Sequence, residues 1–159
     1  MSWRKDRRGA ERGYHHGNLK EALLQAALDL IAEKGPAGFT FADAARSAGV
    51  SPAAPYRHFR DRDELLSSIA QRGFELFETV LTKAWDDGRP DTVTAFERVG
   101  RAYLDFARSE PAFYSAMFES GVPIDVNPTL MVASERAFNI IRAAAERLAA
   151  LAPPGVARP

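Results

Sequence analysis

No cysteine occurs among the 159 residues, which excludes disulfides, thiolate metal sites and cysteine nucleophiles and fits a reducing compartment. No apolar run approaches the roughly 18–20 residues that a membrane-spanning helix needs, and MSWRKDRRGAERGYHHGN at the N-terminus lacks the apolar core of a secretory signal. A phosphate-cradling glycine loop, a nucleophile elbow and a histidine pair at helical spacing are all missing, so neither catalysis, a cofactor nor a metal site is expected. The adjacent His15 and His16 sit in a basic stretch and read as arm residues rather than metal ligands. No segment alternates apolar and polar residues with period two, so strands are not expected. What these absences leave is a soluble, cytoplasmic, all-α protein of one domain, or of a small module continuous with a larger one.

Charge is present and balanced, with 21 basic and 21 acidic side chains, but it is divided unevenly along the chain. Residues 1–62 hold 11 basic and 7 acidic groups and residues 63–159 hold 10 and 14, a split of about +4 and −4. Arg4, Lys5, Arg7, Arg8, Arg12 and Lys20 supply most of the basic excess. Residues 1–17 therefore read either as an arm that meets nucleic acid or as a solvated tail.

Apolar residues recur at helical spacing from Leu19 to Ile31, with Asn18 as an expected N-cap and Glu21 three positions into the helix. Gly35-Pro36 ends that helix. Thr40 and Asp43 predict a capping box for a helix of about two turns that Gly49 closes. Asp61 with Glu64 starts a longer one running to Trp85, broken by Asp86-Asp87-Gly88-Arg89-Pro90. Further helices are expected from about Asp91 or Thr92 to Ala107, from Pro111 to Phe118, and from Asn127-Pro128 to about Leu151.

Between the second and third of these lies VSPAAPYRHF, with two prolines three residues apart. Ser51 is suited to cap a helix whose first residue is Pro52, where a missing amide costs nothing, and Pro55 then removes one backbone bond. Thr40–Ala48, a tight turn at Gly49-Val50 and Ser51–Phe59 thus form a helix-turn-helix, whose second helix enters the DNA major groove. Ala53 and Ala54 keep its tip slim, Tyr56 and His58 offer groups that reach phosphate oxygens, and Phe59 reads as a core anchor.

These residues, within FTFADAARSAGVSPAAPYRHFRDRDELL, resemble the DNA-binding domain of the TetR family of transcriptional regulators. The resemblance covers Asn18 to Leu66: a threonine opening the second helix, the Ala45–Ser51 turn, Tyr56 to Phe59, and Arg62 ahead of Asp63-Glu64-Leu65-Leu66. It implies that Thr40, Tyr56, His58 and Arg62 contact phosphates while Ser51, Ala53, Ala54 and Arg57 lie at or near the groove. Pro55 departs from the aliphatic residue common in the family at that position. The implied protein is a homodimeric, ligand-responsive regulator of palindromic double-stranded operator DNA, most often a repressor, with residues 18–63 binding DNA and residues 64–159 binding an effector and dimerising. A helical interaction module that has lost DNA binding is the alternative.

Beyond Leu66 the resemblance implies a helical bundle around an effector, and AYLDFARSEPAFYSAMFESG resembles one regulator subgroup. Phe74, Phe77, Phe96, Tyr103, Phe106, Tyr114, Met117 and Phe118 are the candidate ligand residues, equally suited to a plain core, and a pocket among them would suit an apolar or aromatic molecule. Arg98, Arg101 and Arg108 read either as partners of an anionic ligand or as a solvated face. Ala133, Ala137, Ile140, Ile141, Ala144 and Leu148 form a stripe that reads as dimer face or intramolecular core. Because the family pairs through two long C-terminal helices and one is visible, the sequence is expected to be incomplete at that end.

Overall fold

The computed structural model describes residues 18–153 and 155, so the basic arm with His15 and His16 lies outside the described residues. Helix α1 spans Leu19–Lys34, α2 Phe41–Ser47, α3 Arg62–Trp85, α4 Thr92–Ser109, α5 Pro111–Phe118 and α6 Pro128–Ala149. Single 3₁₀ turns occupy Ala54–Arg57 and Asp86–Gly88, and there is no strand among the described residues. No described helix is long and apolar enough to cross a membrane.

Side-chain caps set most of the helix starts, because the first amides of a helix have no partner within it. The Thr40 hydroxyl accepts from the Asp43 amide at 3.0 Å while Asp43 Oδ2 accepts from the Thr40 amide at 2.9 Å, completing the expected capping box. Asp61 receives the Glu64 amide, Asp91 the Thr94 amide, and Asn127 the amides of Thr129 and Leu130. Asn18 departs from expectation and makes no side-chain cap bond. Glu21, its intended partner, instead forms a two-pronged ion pair with Arg72 on α3, a contact 51 residues away in sequence.

Helix α3 is the centre of the fold and packs on α4, α5 and α6. Its first apolar positions, Leu65, Leu66 and Ile69, join Leu23, Ala27, Ile31, Phe39, Ala44 and Phe59 in one core. From Ala70 onward it turns Phe74, Phe77, Leu81 and Trp85 into a second core with Val99, Phe106, Met117 and Leu130. A boundary at residues 63/64 therefore falls inside a continuous helix that serves both cores. Gly73 lets α5 approach closely: a β-carbon there would lie 2.6 Å from Met117 Sδ and 3.4 Å from the Phe113 ring. Helix α1 also packs on α5, so the N-terminal module touches the bundle at a second place.

Within the stripe on α6, Ala133, Ala137 and Ala144 are buried and Ile140 and Ile141 pack against the second cluster, whereas Leu148 joins neither core cluster. Arg98 is bonded to the backbone of the turn that precedes its helix. Its Nε donates to the Ala84 carbonyl at 2.9 Å and its Nη2 to the Arg89 carbonyl at 2.5 Å, clamping the turn between α3 and α4. Arg147 holds the same turn from the other side, 5.1 Å from the Trp85 ring centroid and donating to the Asp87 carbonyl. Arg101 and Arg108 pair with Glu97 and Asp105 on the exposed side of their own helix.

Candidate nucleic-acid interface

The turn after α2 closes with the Val50 amide donating to the Ala45 carbonyl at 3.0 Å, and Gly49 takes φ +73°, a conformation that side chains other than glycine resist. The chain then departs from the helix expected over Ser51–Phe59. An α-helix capped at Ser51 needs the amide of residue 55 to donate to the Ser51 carbonyl, and Pro55 has none. The Ala54 amide takes that carbonyl instead at 3.0 Å, Tyr56 donates to Ala53, and His58 and Phe59 share the Pro55 carbonyl, each at 3.0 Å. The outcome is one 3₁₀ turn, Ala54–Arg57, in place of two α-turns.

This turn sorts its residues by face. Pro55 and Phe59 are buried, and Ala54, at 8 % exposure, joins the same core. The expectation that Ala54 lies at the groove is thereby corrected: the tight turn points its methyl inward. Ser51, Ala53, Tyr56, Arg57 and His58 face outward. Tyr56 is 63 % exposed, its ring set edge-to-face on Phe41 at 4.9 Å with an interplanar angle of 85°. Phe41 follows Thr40 directly, so this contact brings the phenol and the α2 N-terminus to one edge. There the positive end of the helix dipole and the Thr40 hydroxyl face solvent together. Arg57 and His58 make no ion pair among the described residues. Lys20 adds a cation at this end, its Nζ 5.9 Å from the Phe59 ring centroid.

Arg62 is placed otherwise. Its Nε donates to the Phe39 carbonyl at 2.8 Å, its Nη2 donates to the Pro36 carbonyl, and its guanidinium lies 4.7 Å from the Phe39 ring centroid. These bonds tie the start of α3 to the loop between α1 and α2, so the guanidinium expected on a phosphate also braces the module through two of its five donors. Phe41, the ring support for Tyr56, escaped the sequence reading because an aromatic just inside a helix is equally suited to the core.

Six of the eight candidate effector residues, Phe74, Phe77, Tyr103, Phe106, Tyr114 and Phe118, form a packed aromatic cluster. Phe77 meets Tyr103 at 5.2 Å, Phe106 at 5.0 Å and Phe138 at 6.4 Å, while Phe118 meets Phe74 at 5.6 Å and Tyr114 at 4.8 Å. Phe74, Phe77, Phe106 and Met117 are buried, Phe96, Tyr103 and Tyr114 half-buried, and Phe118 borders solvent. Burial, followed by a hydrogen bond with Tyr114, raises the Tyr103 hydroxyl above the usual tyrosine range. Phe106 lines a surface groove of about 310 Å³ between α3 and α4. Phe138 on α6 touches three of these rings.

Two family models match this chain: bacterial regulatory proteins of the tetR family over residues 23–69, and the tetracyclin repressor-like C-terminal domain over residues 96–158. Together they cover more than half of the chain, which belongs to the TetR family. A helix-turn-helix-type transcriptional repressor from Mycobacterium tuberculosis is 34 % identical over 82 residues, 50 % of this chain and 42 % of that protein. A nucleoid occlusion factor from Vibrio cholerae is 27 % identical over 110 residues, 65 % of this chain and 56 % of its own. A solved Rhodococcus protein of unknown function aligns with a TM-score of 0.71 at 29 % identity, over 88 % of this chain and 74 % of that one. A TetR-family regulator from Thermus thermophilus shares the fold, with a TM-score of 0.65 at 24 % identity over 79 % and 68 % of the two chains. The matches to the Haemophilus influenzae and Mycobacterium tuberculosis regulators span 39 % and 42 % of those proteins. Regulators of this family bind operator DNA and small-molecule effectors, typically as dimers.

Proposed function

We propose that the protein is a cytoplasmic, non-catalytic transcriptional regulator that binds palindromic double-stranded operator DNA as a homodimer and releases it when a small effector binds the C-terminal bundle. Residues 18–63 carry DNA recognition and residues 64–159 effector binding and dimerisation, with α3 common to both. Repression is the mode favoured, by analogy with the mycobacterial relative. The observation that carries the reading is the shared edge of Thr40 and Tyr56, fixed by the Phe41 ring and continued by the outward-facing Arg57 and His58.

Thr40, Tyr56 and His58 hold phosphates, and Ser51, Ala53 and Arg57 approach the bases. With one 3₁₀ turn in the recognition position, few side chains reach base edges, so phosphate contacts carry a large share of the affinity. An apolar or aromatic effector acts by favouring one packing of the aromatic cluster and tilting α3, which changes the spacing of the two recognition turns in the dimer.

An electrophoretic shift with the DNA upstream of the protein's own gene tests the reading. Salt-sensitive binding to a palindrome there is the expected result. Absence of salt-sensitive binding to any palindrome would refute it in favour of an interaction module.

A further inference from the structure

A cleft of about 360 Å³ lies between the first turn of α3 and the segment that leads into α6, apart from the aromatic cluster. Its polar wall carries Asp61, Asp63, Glu64 and Ser67 together with Arg60, whose guanidinium is paired to Glu64, and its apolar wall includes Val122 and Val126. Two of its three carboxylates already have partners. Asp61 Oδ1 accepts the Glu64 amide at 2.9 Å, and Glu64 Oε2 accepts the Arg60 amide at 2.7 Å and Arg60 Nε at 3.2 Å. Asp63, exposed, makes no ion pair or side-chain hydrogen bond among the described residues.

Ser67 adds an independent observation. It is only 8 % exposed, yet its hydroxyl makes no hydrogen bond among the described residues. The next residue, Ser68, returns its hydroxyl to the Glu64 carbonyl at 3.1 Å, the ordinary arrangement for a helical serine. No buried side-chain polar atom among the described residues is both enclosed and unpartnered, so the Ser67 oxygen opens into the cleft that it lines. A largely buried hydroxyl beside an unpaired carboxylate, facing an aliphatic wall, is complementary to a cation with a short apolar body.

We propose that this cleft binds a small amphipathic primary ammonium. The ammonium donates to the Asp63 carboxylate and to Ser67 Oγ, and the aliphatic body lies on Val122 and Val126. This site is distinct from the aromatic cluster assigned to the effector above, and it rests on the regulator reading only for its consequence: a ligand bridging α3 to the α5–α6 segment fixes the helix that carries the DNA-binding module.

Binding is measured without DNA, by titrating the full chain with n-butylammonium chloride and following backbone amide shifts by NMR. Saturable shifts confined to the neighbourhood of Asp63, Ser67, Val122 and Val126 are expected, with n-butanol about ten-fold weaker. Asp63→Asn should weaken n-butylammonium about ten-fold and Ser67→Ala about three-fold, both with the rest of the spectrum intact. Shifts that fail to saturate, an equal response to n-butanol, equal shifts at Glu97 and Asp105, or unchanged binding in Asp63→Asn would each overturn the proposal. None of those outcomes alters the operator-shift test, and a failed operator shift leaves this titration standing.

Discussion

Around Thr40 and Gly49 the chain is held by hydrogen bonds between residues three to five apart, whereas around Phe77 it is held by rings arriving from α3, α4, α5 and α6. The contrast separates two ways of fixing a functional surface. In the N-terminal module, short helices too weak to persist alone are pinned by caps and turn geometry, which leaves the outer side chains free to face a partner. In the bundle, position is set by mutual packing, so a change at one ring is felt at its neighbours. Because α3 is buried in both cores, the two regions are expected to unfold as one cooperative unit.

The largest break in the comparison should come from Phe77→Ala. Phe77 is 1 % exposed and meets three rings, so truncation should cost about 3–5 kcal/mol in urea denaturation. The helix signal and the tryptophan fluorescence, to which Trp3 and Trp85 both contribute, should still change in one coincident transition; two separated transitions would show that α3 does not weld the regions together. Next in size is Arg62→Ala, which leaves two loop carbonyls without their charged donor and should cost about 1.5–3 kcal/mol. Tyr56→Phe is its counterpart, expected to weaken operator binding while leaving the melting temperature in place. An Arg62→Ala protein of unchanged stability but flattened salt dependence would return that guanidinium to the phosphate role.

A smaller effect is expected from Thr40→Ala, which removes one half of the capping box and should lower stability by about 1 kcal/mol, measured by thermal melting. The smallest concerns pH. The Thr40 amide, and then its hydroxyl, hold the Asp43 carboxyl below the ordinary aspartate value of 3.8. A carboxyl depressed in the folded state contributes stability that is complete above that ordinary value and fades as pH falls through the folded one. An NMR titration should find Asp43 ionising below 3.8, moving upward in Thr40→Ala; an ordinary value in the native protein would argue that the box is not formed in solution.

What was legible in the sequence follows the same division. Caps at Thr40 and Asp61 could be read because donor and acceptor lie within three residues of one another. Asn18 misled, and the bracing role of Arg62 stayed hidden, for the opposite reason: Glu21 finds Arg72, and Arg62 finds the carbonyls of Phe39 and Pro36, across separations that no local pattern reveals. At Pro55 the missing amide was visible, but its effect was larger than one lost bond. Once the Ser51 carbonyl turned to Ala54, the segment tightened to three residues per turn and Ala54 rotated into the core. For the bundle, the sequence supplied the rings without their pairing. Whether such rings enclose a space or fill it depends on four helices at once, and here they stack on one another.

Gly73 sits close to the midpoint of α3, with 11 residues to Arg62 and 12 to Trp85, and α5 bears closely on the helix there through Met117. At 1.5 Å per residue the two arms are about 16 and 18 Å long. A rigid rod resting on such a fulcrum has a mechanical ratio near one. A tilt of about 5° moves either end by roughly 1.5 Å in opposite directions, so a displacement imposed at the Trp85 end reaches the Arg62 end neither magnified nor attenuated, and with its sense reversed.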